Sequence, residues 1–200
     1  MSNKLKEKLE RIKNLVDYTL ENFDKLLKEE EKEKTPEPEP TPEPEEEKKK
    51  KNFEINYPFK GNFKITQNFG ENLELYKNNG FAGHFGIDYA TPWGSEILAC
   101  DKGKISRAEF SAGNGNFIEI THEWGKSLYC HLKDLPTQNV GQEIAELEVI
   151  GHAGNTGLVY SRLPKNTPHR GTHLHFSIKD NEIKNPEYKD WVDPTDYFKK

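Results

Sequence analysis

The chain predicts an all-β domain of antiparallel sheets preceded by an N-terminal amphipathic helix and a Pro/Glu-rich linker. Three observations carry that expectation. Apolar residues near the N-terminus recur with a four-three spacing. A proline- and glutamate-rich stretch without apolar residues follows. Everything beyond Asn52 is written as short β-like runs punctuated by Gly, Pro, Asn and Asp. These shifts in texture divide the chain into 1–34, 35–52 and 53–200. A length of 200 residues holds one ordinary core with sequence to spare, but hardly two.

In the first segment Leu5, Leu9, Ile12, Val16, Phe23 and Leu26 form a stripe that only Thr19 breaks, with Lys and Glu filling the other faces. That pattern predicts one amphipathic helix from about Lys4 to Lys34. Its heptads would suit a coiled coil, and Leu15, Leu20 and Leu27 widen the stripe enough for docking on another surface, so self-association or docking is expected of it. From Thr35 to Lys51 the sequence TPEPEPTPEPEEEKKKK holds five of the twelve prolines and predicts an extended spacer. At ~3.1 Å per residue it could separate helix and β domain by up to ~50 Å.

Within the β domain the runs Phe63–Thr66, Gly103–Ser106, Asn116–Ile120, Ser127–Leu132 and His173–Ile178 predict strands, and no helical period of ten residues interrupts them. Cys130, between Leu128 and Leu132 in an alternating run, is expected to be buried and to face as both leucines do. Cys100 and Cys130 form neither a C-x-x-C pair nor a disulfide framework.

Composition excludes several functions. A formal charge of −5, with no basic run interleaved with aromatics, argues against nucleic acid as a partner. Lys48–Lys51 directly follows Glu45–Glu47 and reads as a solvated linker end. No stretch approaches the ~20 apolar residues of a membrane span, and no signal peptide is visible.

Chemistry concentrates in four histidines and an aspartate. His84 and Asp88 are four apart in GHFGID, and His173 and His175 are two apart in HLHFS. On extended chain each pair shares a face, as would Tyr129 and His131. A catalytic zinc takes three N or O ligands and keeps a fourth position for water, which two histidines and one carboxylate satisfy. Histidines left over after ligation suit proton transfer near neutral pH. An H-x-x-x-D or an H-x-H alone is weak. Their conjunction carries the argument.

His84-x-x-x-Asp88, Tyr129-Cys130-His131-Leu132 and His173-Leu174-His175-Phe176, in that order and spacing, resemble the lysostaphin/LytM-type M23 zinc endopeptidases. Supporting segments are Gln67–Gly70, Gly141-Gln142, Ile150–Gly157 and Asp193-Pro194, and the resemblance covers about Tyr57 to Phe198. It implies that His84, Asp88 and His175 ligate Zn2+, while His131 and His173 orient or deprotonate the water and stabilise the oxyanion. It also implies antiparallel sheets forming a narrow groove and a peptidoglycan peptide as substrate, either a glycine-rich cross-bridge or a stem peptide. That substrate would place the site of action outside the cytoplasm, by an export route or phage release that the sequence does not reveal.

Two departures stand out: Leu158–Gly171 is longer than the family's usual turn, and Gly94-Ser95-Glu96-Ile97 replaces a common Gly-Thr-Pro-Val. His169, in the long loop, is expected at the solvent surface. His122 reads as a hydrogen-bonded structural residue, since Lys126 stands where H-E-x-x-H would need its second histidine, and His152 reads as a turn residue. Rival readings are a metal-free wall-binding or activator module and a phage tail or lysis component assembled by the N-terminal helix. All five site positions are filled, which favours an enzyme.

Overall fold

The computed structural model describes Lys13 and residues 52–200; Lys13 is helical and exposed. The expected N-terminal helix and the linker otherwise lie outside the described residues. Ten strands follow in order: β1 (Ile65–Gln67), β2 (Ile87–Tyr89), β3 (Glu96–Leu98), β4 (Gly103–Ser111), β5 (Gly115–Thr121), β6 (Gly125–Leu132), β7 (Glu143–Ile144), β8 (Val149–His152), β9 (Leu174–Asp180) and β10 (Trp191–Val192). Within residues 52–200 the one α-helix, α1 (Leu73–Tyr76), is a single turn.

The main sheet runs β1-β2-β9-β6-β5-β4-β7, with β10 added to β9, and β3 pairs β8 in a separate ribbon. Every ladder is antiparallel. The expected all-β, antiparallel character is therefore what the structure shows, and all five expected runs lie in or overlap strands. Each is flanked by residues that break pairing, such as Gly113 and Asn114 between β4 and β5.

Alternation along the strands sends side chains to two faces. One face buries Ile87, Ile118, Ile120, Tyr129, Phe176 and Ile178 against β3, β8 and the C-terminal Tyr197 and Phe198. The other holds a smaller cluster of Phe117, Leu128, Cys130 and Trp191, bordered by Phe69, Phe81 and Phe85. Cys130 is buried as expected and shares its face with Leu128, but Leu132 packs in the opposite cluster. The reason is a bulge: Asn116 pairs Leu132 and Ile118 pairs Tyr129, so β6 carries one residue more than β5 here, and His131 turns to φ 62°.

Candidate metal centre and groove

Asp88 on β2, His175 on β9 and Cys130 on β6 lie side by side across the sheet, in register. His175 shares its face with His173, as alternation predicts. The expectation that His84 and Asp88 lie together on one extended segment is corrected, because strand geometry begins only at Ile87 and His84 sits in the preceding turn. That turn is fixed by Gly70 N–H donating to His84 O and His84 N–H donating to Glu71 O, both at 2.8 Å. The pairing of Tyr129 with His131 is corrected too. Tyr129 points into the core, where its hydroxyl accepts from Cys100 N–H at 2.9 Å, and the bulge alone turns His131 toward the groove.

The geometry converges. His84 Nε2 is 2.8 Å from His175 Nδ1 and 3.1 Å from Asp88 Oδ1, and His175 Nδ1 is 2.9 Å from that same oxygen. All three side chains are buried, and together they form a group able to hold a metal ion. Protonation follows from their outer partners. His84 Nδ1 lies 3.0 Å from the Asn68 carbonyl, which can only accept, so Nδ1 carries the proton and Nε2 turns a lone pair inward. His175 Nε2 is 2.8 Å from Ser177 Oγ, a hydroxyl that can accept the Nε2 proton and free Nδ1.

Electrostatics agree with this arrangement. At Asp88 burial favours the neutral acid, but the adjoining His175 and His84 rings outweigh it and hold the carboxyl well below its usual range. His175 is pushed down to about 4, by burial first, against the pull of Asp88. Two neutral imidazoles and a carboxylate thus direct three electron pairs at one point. Tetrahedral zinc, with ligands ~2.0–2.1 Å away, would set them ~3.3 Å apart. The observed spacings are a few tenths of an ångström shorter, within reach of small side-chain rotations, and the residues fit the ion.

His131 and His173 flank this point with ring centroids 4.6 Å apart. His131 Nδ1 donates to Thr156 O and His173 Nδ1 to Gly171 O, both at 2.8 Å, so each ring turns a bare Nε2 to the groove. His173 Nε2 is 3.7 Å from Asp88 Oδ2. His131 is pushed down to about 3, by burial and then by the neighbouring His173 and His175.

The groove above has a volume of about 700 Å³. Leu75, Tyr76 and Phe81 form one wall and Leu158, Tyr160 and Leu163 the other. The second wall belongs to the long loop, as its length suggested. His169 is exposed and stacks on Trp93 at 4.2 Å, away from the metal ligands. His122 is buried, its Nδ1 2.7 Å from Lys102 O and its Nε2 2.7 Å from Ser127 Oγ. His152 ends β8 rather than sitting in a turn.

Sequence reasoning missed three neighbours. Thr156 anchors His131, Ser177 backs His175, and Tyr76 sets its ring 5.4 Å from that of His84, with its hydroxyl pushed up to about 12 by burial and the Asp88 charge. Ser177 was legible as the next residue on the face of His173 and His175. The other two sit in segments without periodicity.

Fold and site define a class: an antiparallel β protein with a two-histidine, one-carboxylate cation site at the foot of an open groove. Comparison with known families narrows it. The family described as Peptidase family M23 matches residues 82–187, and the chain belongs to that family. It is 34% identical over 127 residues to an uncharacterized metalloprotease of Buchnera aphidicola, a match covering 62% of this chain and 30% of that protein. It is 31% identical over 105 residues to the peptidoglycan DD-endopeptidase ShyC of Vibrio cholerae, covering 52% and 22%. Among solved structures, a zinc containing peptidase from Vibrio cholerae superposes with a TM-score of 0.53 at 27% identity, over 70% of this chain and 39% of that one. The chain thus matches less than a third of the length of either curated relative.

Proposed function

We propose that this chain is a zinc-dependent endopeptidase that hydrolyses peptide bonds of bacterial peptidoglycan, in the cross-bridge or the stem peptide, outside the cytoplasm. The observation that carries the reading is the convergence of His84 Nε2, Asp88 Oδ1 and His175 Nδ1 beside two more imidazoles whose Nε2 atoms face the same groove. The relatives support it, one named a metalloprotease, one a peptidoglycan DD-endopeptidase and one a zinc containing peptidase.

His84, Asp88 and His175 would hold the ion. Bound zinc supplies a Lewis acid that polarises a carbonyl and brings the pKa of water toward ~7. The remaining chemistry belongs to the chain. His131 and His173, with Nδ1 protons committed to carbonyls, present Nε2 as acceptors for the proton of an attacking water. Once protonated, the same nitrogens become donors to the oxyanion that develops on the scissile carbonyl and to the departing amine.

The purified chain is expected to hold about one zinc per molecule, and chelation should abolish release of peptide fragments from peptidoglycan. Digestion of peptidoglycans with different cross-bridges, followed by mass spectrometry of the new termini, identifies the bond. Undiminished cleavage by metal-free protein would overturn the mechanism. His84→Ala and Asp88→Ala should lose the metal. His131→Ala should keep it and slow cleavage by roughly 10²–10⁴-fold; normal cleavage by that variant would remove His131 from its role. A metal-free binding module is the reading left if zinc does not bind.

A further inference from the structure

The groove does not end at the metal ligands. Following the same sheet face from β9 across β6 to β5 and β4, the floor becomes apolar at Leu128 and then charged at Glu119 and Arg107, while Trp191 stands on β10 on the other side of β9; all four line the groove. Glu119 and Arg107 are cross-strand partners. Strands spaced ~4.8 Å apart place them ~10 Å and ~14 Å from the β9 backbone, about three residues along an extended peptide.

Glu119 is buried, a costly place for a carboxylate unless it is paired. Ser106 Oγ and Lys126 Nζ both bond to it at 2.8 Å, and both use Oε1. Burial alone would raise its pKa, yet these partners and Arg107 keep it below the usual value. Oε2 is the oxygen left for the groove. Arg107 lies over the Phe117 ring, 4.7 Å from its centroid, and spends Nε and one terminal nitrogen on a single oxygen of Glu109, itself half-exposed. Such surface pairs contribute little and are readily exchanged. The rest of the guanidinium fork remains for an incoming anion. On the same face Lys126 stands opposite Lys179, which rests over the Trp191 ring at 4.7 Å.

We propose that Arg107 and Glu119 form a charged subsite for a substrate residue bearing a free carboxylate and a free amine together, as a diamino-diacid of a stem peptide does. Arg107 takes the carboxylate and Glu119 Oε2 the ammonium. The proposal rests on the peptidase reading and deepens it: a stem peptide would be selected over a glycine cross-bridge, which carries neither group.

The test uses the full zinc-loaded chain with three cross-linked dimers: one with a free diamino-diacid, one amidated at that carboxylate, and one glycine-bridged. The free form should be cleaved ~10-fold faster in kcat/KM than the amidated form, and Arg107→Gln should make the two equal. An unchanged ratio in Arg107→Gln overturns the subsite. Binding separates the two ideas. With His131→Ala, in which cleavage is slowed enough for binding to be read first, the free diamino-diacid peptide should bind ~10-fold tighter than its amidated form, and the double variant with Arg107→Gln should lose that difference. That result with no cleavage of any dimer supports the subsite and refutes the peptidase reading; equal binding of both peptides refutes the subsite. An analogue lacking the amine should bind more weakly to the chain and equally well to Glu119→Gln. If that variant fails to fold, the weaker binding of the analogue alone tests Glu119.

Discussion

His131 is the residue whose placement depends most on its neighbours. Its φ of 62° is uncommon for a residue with a side chain, and the bulge that imposes it must be held from outside β6. Thr156 does so with three bonds: its carbonyl accepts His131 Nδ1–H at 2.8 Å, its hydroxyl donates to Leu132 O at 2.7 Å, and Asn116 N–H donates to that hydroxyl at 2.9 Å. The approach is close enough that a Cβ on Gly115 would meet Thr156 O at 2.3 Å, and Gly115 itself is at φ 65°. Thr156→Val should therefore cost about 1–3 kcal/mol in urea unfolding, lower kcat with zinc content unchanged, and erase the hydrogen-bonded His131 Nδ1–H proton signal in NMR, while Thr156→Ser restores all three. An unchanged signal would show that the latch does not set the ring. Alternation in the sequence placed His173 and His175 on one face correctly. It failed for His131 because a bulge is set by pairing between distant strands, and for His84 because a turn, not a strand, turns its ring toward Asp88.

At the scale of elements, the short strands were legible because each is a β-rich run bounded by residues that stop pairing. The order β2-β9-β6 was not, since β2 and β9 are separated by most of the domain in sequence. The loop 158–171 was recognised by length alone. Arg170 gives it shape: Nε donates to Leu163 O at 2.6 Å, a terminal nitrogen donates to Ser161 O, and Asn155 Nδ2 donates to Arg170 O at 2.9 Å. Arg170→Ala should loosen the wall carrying Leu158, Tyr160 and Leu163 and raise KM by ~2–10-fold with little change in kcat, measured on soluble dimers. A fall in kcat alone would mean that the loop acts on the histidines.

Across the whole molecule, stability should depend on pH through buried histidines. Burial lowers the pKa of His122, despite a hydrogen bond to Lys102 O, and holds His131 near 3 and His175 near 4, against a usual 6.5. Depressed folded-state values mean that below pH 6.5 the unfolded chain binds more protons than the folded one. Stability is then full above about 6.5 and falls with pH through the window down to the folded values, by at most ~1.4 kcal/mol per pH unit for each histidine. Urea midpoints of chelated protein should drop between pH 7.5 and 5, and His122→Gln should shrink the drop. A flat profile would mean that these rings are solvated.

The division between sheet and loops has a consequence for how such a domain can change over generations. Asp88 and His175 are held in strand register, and a one-residue slip would turn each away from the groove. The groove walls obey no such register. The loop 158–171 before β9 can lengthen at small entropic cost, because each doubling of loop length costs only ~0.6 kcal/mol, whereas the turn before β2 carries His84 and is fixed by backbone bonds to Gly70 and Glu71. Preference among wall chemistries can drift in this loop while His84, Asp88 and His175 stay where they are, and a transplanted loop 158–171 is the shortest route to reshaping the groove of a related domain.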